Sequence, residues 1–150
     1  YHNLKYMIVG DGLDAARLKY KAISLGIADK VIFTGRIPES QKVDHYRLAD
    51  VYVMPSTGEG FGIVLIEAAA CGISVIGSEV DGSREALLLG ELGQLVIPAR
   101  GSELIAAVDE TLQTVGNPRR NSRIEFFDVR HFRCRVNEWL LTLDRDQAKS

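Results

Sequence analysis

The stretch MPSTGEGFGIVLIEAAAC, residues 54–71, contains two carboxylates whose surroundings suggest chemistry. Glu59 lies between glycines, and Glu67 lies in a run from Ile63 to Cys71 that is otherwise apolar. A carboxylate in dry surroundings costs several kcal/mol unless another group pairs with it or hydrogen-bonds to it. Glu67 therefore predicts a partner, supplied by another part of the chain or by a ligand.

The loop before this run has the composition of an anion site. Gly58, Gly60 and Gly62 lie between the end of an apolar, strand-like segment and the expected start of a helix. Glycine lets backbone N–H groups approach an anion closely, and a helix N-terminus adds about half a positive charge. The loop is therefore a candidate phosphate site.

The spacing of the two carboxylates fits a nucleotide. Glu67 is five residues after Gly62, which at about 1.5 Å per residue is roughly 7.5 Å, or about one ribose, from the phosphate end. There it could accept hydrogen bonds from the 2′- and 3′-hydroxyls, while Glu59 lies at the end where a transferred group would sit. In the alternative interpretation, Glu67 pairs with an arginine or a backbone turn and Glu59 is a solvated loop acid.

A second glycine motif suggests a different ligand, a dinucleotide. Residues 10–15, GDGLDA, match G-x-G-x-x-A after a predicted strand. The dinucleotide fingerprint also requires an acid about 20 residues later, where the chain has Thr34, Gly35 and Arg36. Arg36 could face a 2′-phosphate, so an NADP-binding Rossmann domain is an alternative, although a tight strand-to-helix turn is the favoured interpretation.

Short apolar runs alternate with helix-length amphipathic stretches, which predicts an α/β fold with a Rossmann-like parallel sheet and helices on both faces. Ligands bind such sheets beyond the carboxyl ends of the strands. The predicted strands are Tyr6 to Val9, Val31 to Thr34, Val51 to Met54, Ser74 to Gly77 and Gln94 to Ile97.

The predicted helices begin and end at recognisable residues. The first follows Asp14, turns Leu18, Ala22 and Leu25 inward and ends at Gly26; others lie at Ser40 to Ala49, from Gly62 and near Ser83. A fifth follows Ser102, with Leu104, Ile105, Val108, Leu112 and Val115 on one face, and ends at residues 116–118. The last carries Val129, Phe132, Val136, Leu140 and Leu143.

Composition narrows the setting. The 150 residues amount to one ordinary domain, and the net charge of −2 argues against a nucleic-acid partner. There is no apolar run of the ~18 residues that a membrane span needs, and no signal-peptide pattern. Cys71 and Cys134 lack metal-ligand spacing and are interpreted as plain thiols, so a cytoplasmic location is expected.

The order of these blocks resembles that of the carboxyl-terminal domain of family 4 retaining glycosyltransferases, the group 1 glycosyltransferases of GT-B fold. The resemblance covers about Tyr6 to Val115. It is carried by MIVGDG (7–12), VIFTGRI (31–37), ADVYVMPS (49–56), the two glutamates spaced E-x7-E around Gly60-Phe61-Gly62, Gly72 and Gly93.

The resemblance implies a nucleotide-sugar donor site and a retaining hexosyltransferase. It implies that Glu67 holds the ribose, that the backbone of Gly60, Phe61, Gly62, Ile63 and Val64 holds the diphosphate, and that Glu59 faces the sugar. Arg36 and Ile37 would flank the base of a UDP- or GDP-linked donor. No metal or other cofactor is expected, and no D-x-D follows a suitable strand. A nucleotide-binding module without transfer is the main alternative, and a phosphorylase is a weaker one because no lysine is suitably placed to hold a cofactor aldehyde.

The chain also departs from the family. The family's domain begins one strand earlier, with a loop whose Arg and Lys neutralise the diphosphate. In the strand order 3-2-1-4-5-6 that strand is central, so we expect two sheet halves with unpaired edges. Residues 1–150 are interpreted as a single nucleotide-sugar-binding domain that is a fragment of a longer enzyme, inactive alone and completed by an amino-terminal acceptor domain.

Residues 119–145 are expected to form a carboxyl-terminal amphipathic region rich in arginine. In the parent protein it could contact anionic lipid. Glu125, Asp128 and Glu138 interleave with the arginines, which favours a solvated helix face instead. The arginines are Arg119, Arg120, Arg123, Arg130, Arg133 and Arg135.

Overall fold

A computed structural model describes residue 1, residues 3–114 and residues 121–147, with the side chains described through residue 141. Its backbone contacts divide the chain into two compact units, Tyr1–Lys42 and Val43–Ser150. Each unit is an α/β arrangement built on parallel strands.

The first unit contains β1 (Tyr6–Val9), α1 (Ala15–Ser24), a 3-10 turn (Ala28–Lys30), β2 (Val31–Gly35) and a second 3-10 turn (Glu39–Gln41). β1 and β2 pair in parallel, with Tyr6 opposite Val31. The Gly10 N–H donates to the Gly35 carbonyl at 2.9 Å, which ties together the ends of the two strands. This is the structural role that a tight turn predicts for Gly10.

Helix α1 follows the predicted bounds, and its cap differs in detail. Asp14 is the N-cap residue, but its carboxylate binds Arg17 at 2.9 Å instead of a backbone N–H. Ala22 is buried and Leu18 half-buried, whereas Leu25 is 60% exposed. The prediction for Leu25 was wrong. The helix ends at Ser24, so Leu25 lies beyond the part of the chain in which helical spacing would turn it inward.

The second unit continues from α2 (Lys42–Arg47), which begins at the boundary. Its strands pair in parallel in the order β3-β4-β5. Its elements are β3 (Val51–Val53), α3 (Ile63–Ala70), β4 (Ser74–Ser78), α4 (Ser83–Ala86), a 3-10 turn (Leu88–Gly90), β5 (Gln94–Val96), α5 (Gly101–Thr114), a 3-10 turn (Ser122–Phe127) and α6 (Val129–Gln147).

Helices cover both faces of this sheet, as the alternation predicts. Val75 and Ile76 are neighbours in β4, so their side chains point to opposite faces. Val75 belongs to a core cluster with Leu65 and Ala68 of α3, and Ile76 belongs to a second cluster with Ala107 of α5. The strands in the described part of the chain thus form two parallel sheets, β1-β2 and β3-β4-β5, which is the division expected from the family's strand order.

The carboxyl-terminal helices differ from the prediction in which residues they bury. In α5 the inward stripe includes Ala107 and Thr111, while Ile105 is 71% exposed, because the stripe advances by three or four residues from Leu104. In α6, Val129, Phe132 and Leu140 are exposed, and Val136 is half-buried. Val115, residues 116–118 and the Leu143 side chain lie outside the described part of the chain.

Candidate functional site

A glycine loop, residues 58–62, leads from β3 into α3 and gives the helix a distinctive start. Gly62 is the N-cap residue with φ 90° and ψ 46°, a left-handed conformation. A Cβ at Gly62 would also lie 2.9 Å from Cδ1 of Leu65. Helix hydrogen bonding begins with the Leu65 N–H donating to the Gly62 carbonyl. The N–H groups of Ile63 and Val64 therefore have no acceptor within the helix and point out of its positive end.

Glu59 is held at this helix start. Its Oε1 accepts hydrogen bonds from the N–H groups of Phe61 at 3.3 Å and Gly62 at 3.1 Å. The residue is half-buried, which argues against the solvated-acid interpretation. Among the described residues, the hydrogen bonds of this carboxylate involve Oε1 alone, so Oε2 remains an acceptor for a ligand.

An aspartate loop, residues 79–83, supports the glycine loop from the end of β4. Asp81 accepts from the Glu59 N–H at 3.1 Å and from the Ser83 N–H at 3.0 Å. The Glu59 carbonyl accepts from the Gly82 N–H at 3.0 Å. The two loops that follow neighbouring strands are thus joined through their backbones.

The charge of Asp81 is part of this support. Burial alone would raise the pKa of Asp81, but hydrogen bonds from Ser83, Glu59 and Ser56 outweigh burial and hold it below its ordinary value. A lowered pKa in the folded state means that these hydrogen bonds stabilise the protein at neutral pH. That contribution is lost as the pH falls below the ordinary carboxyl value of 3.8 and through the lowered pKa.

We expect Gly82→Ala to destabilise the protein by about 2 kcal/mol or more, because overpacking a tight contact costs this much. The new Cβ would lie 2.5 Å from the Gly60 carbonyl carbon and 2.8 Å from the Phe61 nitrogen, which are backbone atoms that cannot move aside as a flexible side chain could. Gly58→Ala is the matched control, since a Cβ there has nothing within 4 Å. Denaturant unfolding of both variants checks this, and equal stabilities would contradict the packing.

Tyr46 is a partner of Glu67. The Tyr46 hydroxyl, on α2, donates to Oε2 of Glu67 at 2.8 Å, and its ring packs edge-on against Tyr52 at 5.5 Å. Burial, and then the hydrogen bond to Glu67, raise the pKa of Tyr46, so the hydroxyl stays protonated and remains a donor. The hydrogen bond from Tyr46 is a partner supplied by another part of the chain, as this carboxylate predicts.

Tyr46→Phe is expected to lower the free energy of unfolding by about 1.5 to 3 kcal/mol, the scale of a hydrogen bond to a charged group. The ring and its packing against Tyr52 are retained, so the loss reports the hydroxyl alone. Tyr20→Phe is the control because Tyr20 is 73% exposed on α1. Thermal unfolding of the two variants gives the comparison, and indistinguishable melting temperatures would remove Tyr46 as the partner of Glu67.

Most of the predicted site residues come together in the second unit, around the start of α3: Glu59, Gly60, Phe61, Gly62, Ile63, Val64 and Glu67. Arg36 and Ile37 follow β2 in the first unit, where Arg36 is exposed and Ile37 half-buried. Their contact with a nucleotide base stays a prediction.

Sequence reasoning missed two residues that hold the site. Asp81 lies in the loop after β4, one of the loops where a ligand was expected, but a single Asp-Gly pair there reads as an ordinary turn. Tyr46 precedes Glu67 by 21 positions, and its sequence surroundings give no signal of that contact.

Cys71 and Cys134 are free thiols, and burial raises the pKa of Cys71, which makes it a poor nucleophile. The described residues contain no cluster of three or more His, Cys, Asp or Glu side chains that could hold a metal ion.

The parallel sheets, with a glycine loop opening a helix beyond a strand's carboxyl end, define a Rossmann-like nucleotide-binding class of fold. The chain belongs to the family of glycosyl transferases group 1, whose pattern it matches over residues 1–125. Its fold is that of the carboxyl-terminal half of a GT-B glycosyltransferase.

Proteins similar to this chain in sequence are named as glycosyltransferases. The chain is 41% identical over 128 residues to a D-inositol 3-phosphate glycosyltransferase of Thermomonospora curvata, covering 85% of this chain and 28% of that protein. It is 36% identical over 120 residues to a GDP-mannose-dependent alpha-(1-6)-phosphatidylinositol monomannoside mannosyltransferase of Mycolicibacterium smegmatis, covering 75% and 31%. The chain thus spans about three tenths of the length of these relatives.

Solved structures agree on the fold. Anabaena HepE in complex with UDP is similar with a TM-score of 0.73 and 25% identity, over 93% of this chain and 41% of that chain. The C-terminal domain of a group 1 glycosyltransferase, LpcC of Francisella tularensis, has a TM-score of 0.70 and 23% identity, over 86% of this chain and 71% of that one.

Proposed function

We propose that this chain is the donor-binding part of a retaining hexosyltransferase, which transfers a sugar from a nucleoside-diphosphate sugar to an acceptor. The observation that carries the proposal is Glu67, a carboxylate fixed by Tyr46 at 2.8 Å on the helix that the glycine loop opens. Tyr46 occupies Oε2 from the side of α2, which fixes the carboxylate plane before a ribose arrives. Membership of the glycosyltransferase family supports the same assignment.

The chemistry follows from charge development. During transfer the leaving nucleoside diphosphate gains negative charge while the sugar carbon gains oxocarbenium character. The N–H groups of Ile63 and Val64, at the positive end of α3, are preorganised donors for that charge, and such donors are the largest electrostatic contribution available here. Glu59 then orients the sugar through Oε2, because Oε1 is held by the glycine loop.

The donor is proposed to be UDP- or GDP-linked, with no metal or other cofactor. HepE is similar to this chain and was solved with UDP, and the Mycolicibacterium relative is GDP-mannose-dependent. Both nucleotides are therefore the ones to test. Arg36 and Ile37 are proposed to contact the base.

Two alternatives from other classes are less well supported. An NADP-binding domain rests on the Gly10 turn, but Gly10 already pairs with Gly35, and the family is one of glycosyltransferases. A nucleotide-binding module without transfer would not need a second carboxylate poised at the phosphate end. Glu59 favours the enzyme, because Oε1 is bound by the glycine loop and Oε2 is left as an acceptor among the described residues.

The proposed partners are a nucleotide sugar and an amino-terminal acceptor domain, in a protein that acts in the cytoplasm. The solved relatives extend well beyond the matched part, since the chain covers 41% of HepE. Lipid contact by the arginines is less well supported because Arg123 pairs with Glu91, Arg130 pairs with Asp128, and Arg135 lies over the Phe126 ring. Among the described helices, none is both long and apolar enough to cross a membrane.

Calorimetric titration of UDP, GDP and the corresponding glucose and mannose donors into the protein tests the proposal. We expect one nucleotide to bind, and consumption of its sugar donor by the full-length protein. The 150-residue chain alone is expected to bind that nucleotide weakly and to consume no donor. Failure of both nucleotides to bind the full-length protein at millimolar concentration would reject the donor site, and turnover by the isolated chain would reject the two-part organisation.

A further inference from the structure

A carboxyl-terminal strap, residues 121–128, crosses the second unit between two fixed points. Near its start, the Asn121 side-chain amide donates to the Glu91 carbonyl at 2.6 Å, and Arg123 pairs with the Glu91 carboxylate at 2.9 Å. Further along, Ile124 is 7% exposed and belongs to the same core cluster as Leu65. The strap therefore lies against α3, the helix that the glycine loop opens.

The end of the strap contacts the glycine loop itself. The Phe127 ring packs edge-on against the Phe61 ring, with centroids 6.3 Å apart and planes at 71°. Phe126 packs in the same way on Phe127, at 5.2 Å and 84°. The Phe61–Phe127 contact joins the glycine loop to a segment of the chain outside the sheet.

This contact matters because of what flanks Phe61. Gly60 and Gly62 have no side chains, so Phe61 provides the side chain by which residues 60–62 can be anchored. Glycine backbone is free to rotate unless something fixes it. The directions of the Phe61 and Gly62 N–H groups, and with them the position of Glu59, depend on how firmly Phe61 is held.

We propose that Phe127 is a positioning residue for the glycine loop, acting through Phe61. Its importance for donor binding rests on the function proposed above. Phe127 acts indirectly: it holds the Phe61 ring in place, and Phe61 in turn holds the glycine loop. Arg135 secures the far side, because its guanidinium lies 4.2 Å from the Phe126 ring centroid and donates to the Phe126 carbonyl at 3.0 Å. The position of α6 is thereby linked to the loop.

Hydrogen exchange without nucleotide tests the positioning directly. Phe127→Ala should raise amide exchange at Glu59, Phe61 and Gly62, whose N–H groups are hydrogen-bonded, by about tenfold, since a locally loosened segment opens at lower free energy. Leu104→Ala is the matched control, because Leu104 is a half-buried side chain packed in the other core cluster. If the amides of Glu59, Phe61 and Gly62 exchange equally in both variants, or as in the unchanged protein, the proposal is overturned.

A double-mutant cycle on nucleotide affinity separates positioning from general destabilisation. We expect Phe127→Ala to weaken binding of UDP or GDP about tenfold in the otherwise unchanged protein and by less than about twofold in a Phe61→Ala background. Phe127→Leu, which keeps apolar volume, serves if the alanine variant does not fold, with the same dependence on Phe61. An equal loss in both backgrounds would overturn the proposal. If the unchanged protein binds neither nucleotide, the donor site is rejected, while the exchange experiment still decides the role of Phe127.

Discussion

Glu59→Gln is expected to lower the rate of sugar transfer by about two orders of magnitude or more, while changing the affinity for the free nucleotide by less than about threefold. Glutamine keeps a carbonyl oxygen for the N–H groups of Phe61 and Gly62, so the glycine loop is preserved. In place of Oε2, however, it presents an NH₂ group. An acceptor for sugar hydroxyls thereby becomes a donor.

Initial-rate kinetics with the donor, alongside calorimetry with the nucleotide alone, check this division in the full-length protein. The free nucleotide lacks the sugar that Glu59 is proposed to contact, so its affinity is the internal control. Parallel losses in the two measurements would show that Glu59 supports the loop and does not orient the sugar.

Glu67→Gln is expected to weaken nucleotide binding by about 1.5 to 3 kcal/mol, or roughly 10- to 150-fold, because hydrogen bonds to a charged acceptor have this magnitude. The fold should be retained, since a glutamine carbonyl still accepts from the Tyr46 hydroxyl. Glu103→Gln, on α5, is the control for a carboxylate outside the site. Calorimetry with UDP and GDP decides the matter, and unchanged affinity would make Glu67 a purely structural residue.

The order of elements could be predicted because each depends on local patterns. β1 and β4 begin where their branched apolar runs begin, and α3 begins after Gly62 because a left-handed glycine ends the loop. The split into two sheets was expected from the family resemblance, in which the central strand of the order 3-2-1-4-5-6 precedes Tyr6. Errors arose at Leu25, which lies just beyond the end of α1, and at Ile105, whose helical face depends on how the neighbouring elements pack.

In the candidate site, the glycine loop and its carboxylates could be predicted from the sequence, whereas the residues that support them could not. A carboxylate in an apolar run predicts that a partner exists. The identity of that partner depends on where α2 packs, which residue spacing in the sequence does not indicate. Asp81 is a similar case, since its contact with Glu59 exists only because β3 and β4 are neighbours. Local sequence identified the groups that are proposed to face a ligand, and long-range topology determines the residues that hold them.

The contact between Phe61 and Phe127 also has a consequence for the order of events during synthesis. Two supports of the glycine loop come from later in the chain, Asp81 first and then Phe127. A ribosome adds about 5 to 20 residues per second. Phe127 is therefore synthesised on the order of seconds after the loop, and the Phe61–Phe127 contact cannot form before then. During that interval its glycines and the apolar start of α3 are open to other contacts. Until the strap has left the exit tunnel, a nucleotide or chaperone that binds the emerging chain would meet a glycine loop that lacks its contact with Phe127.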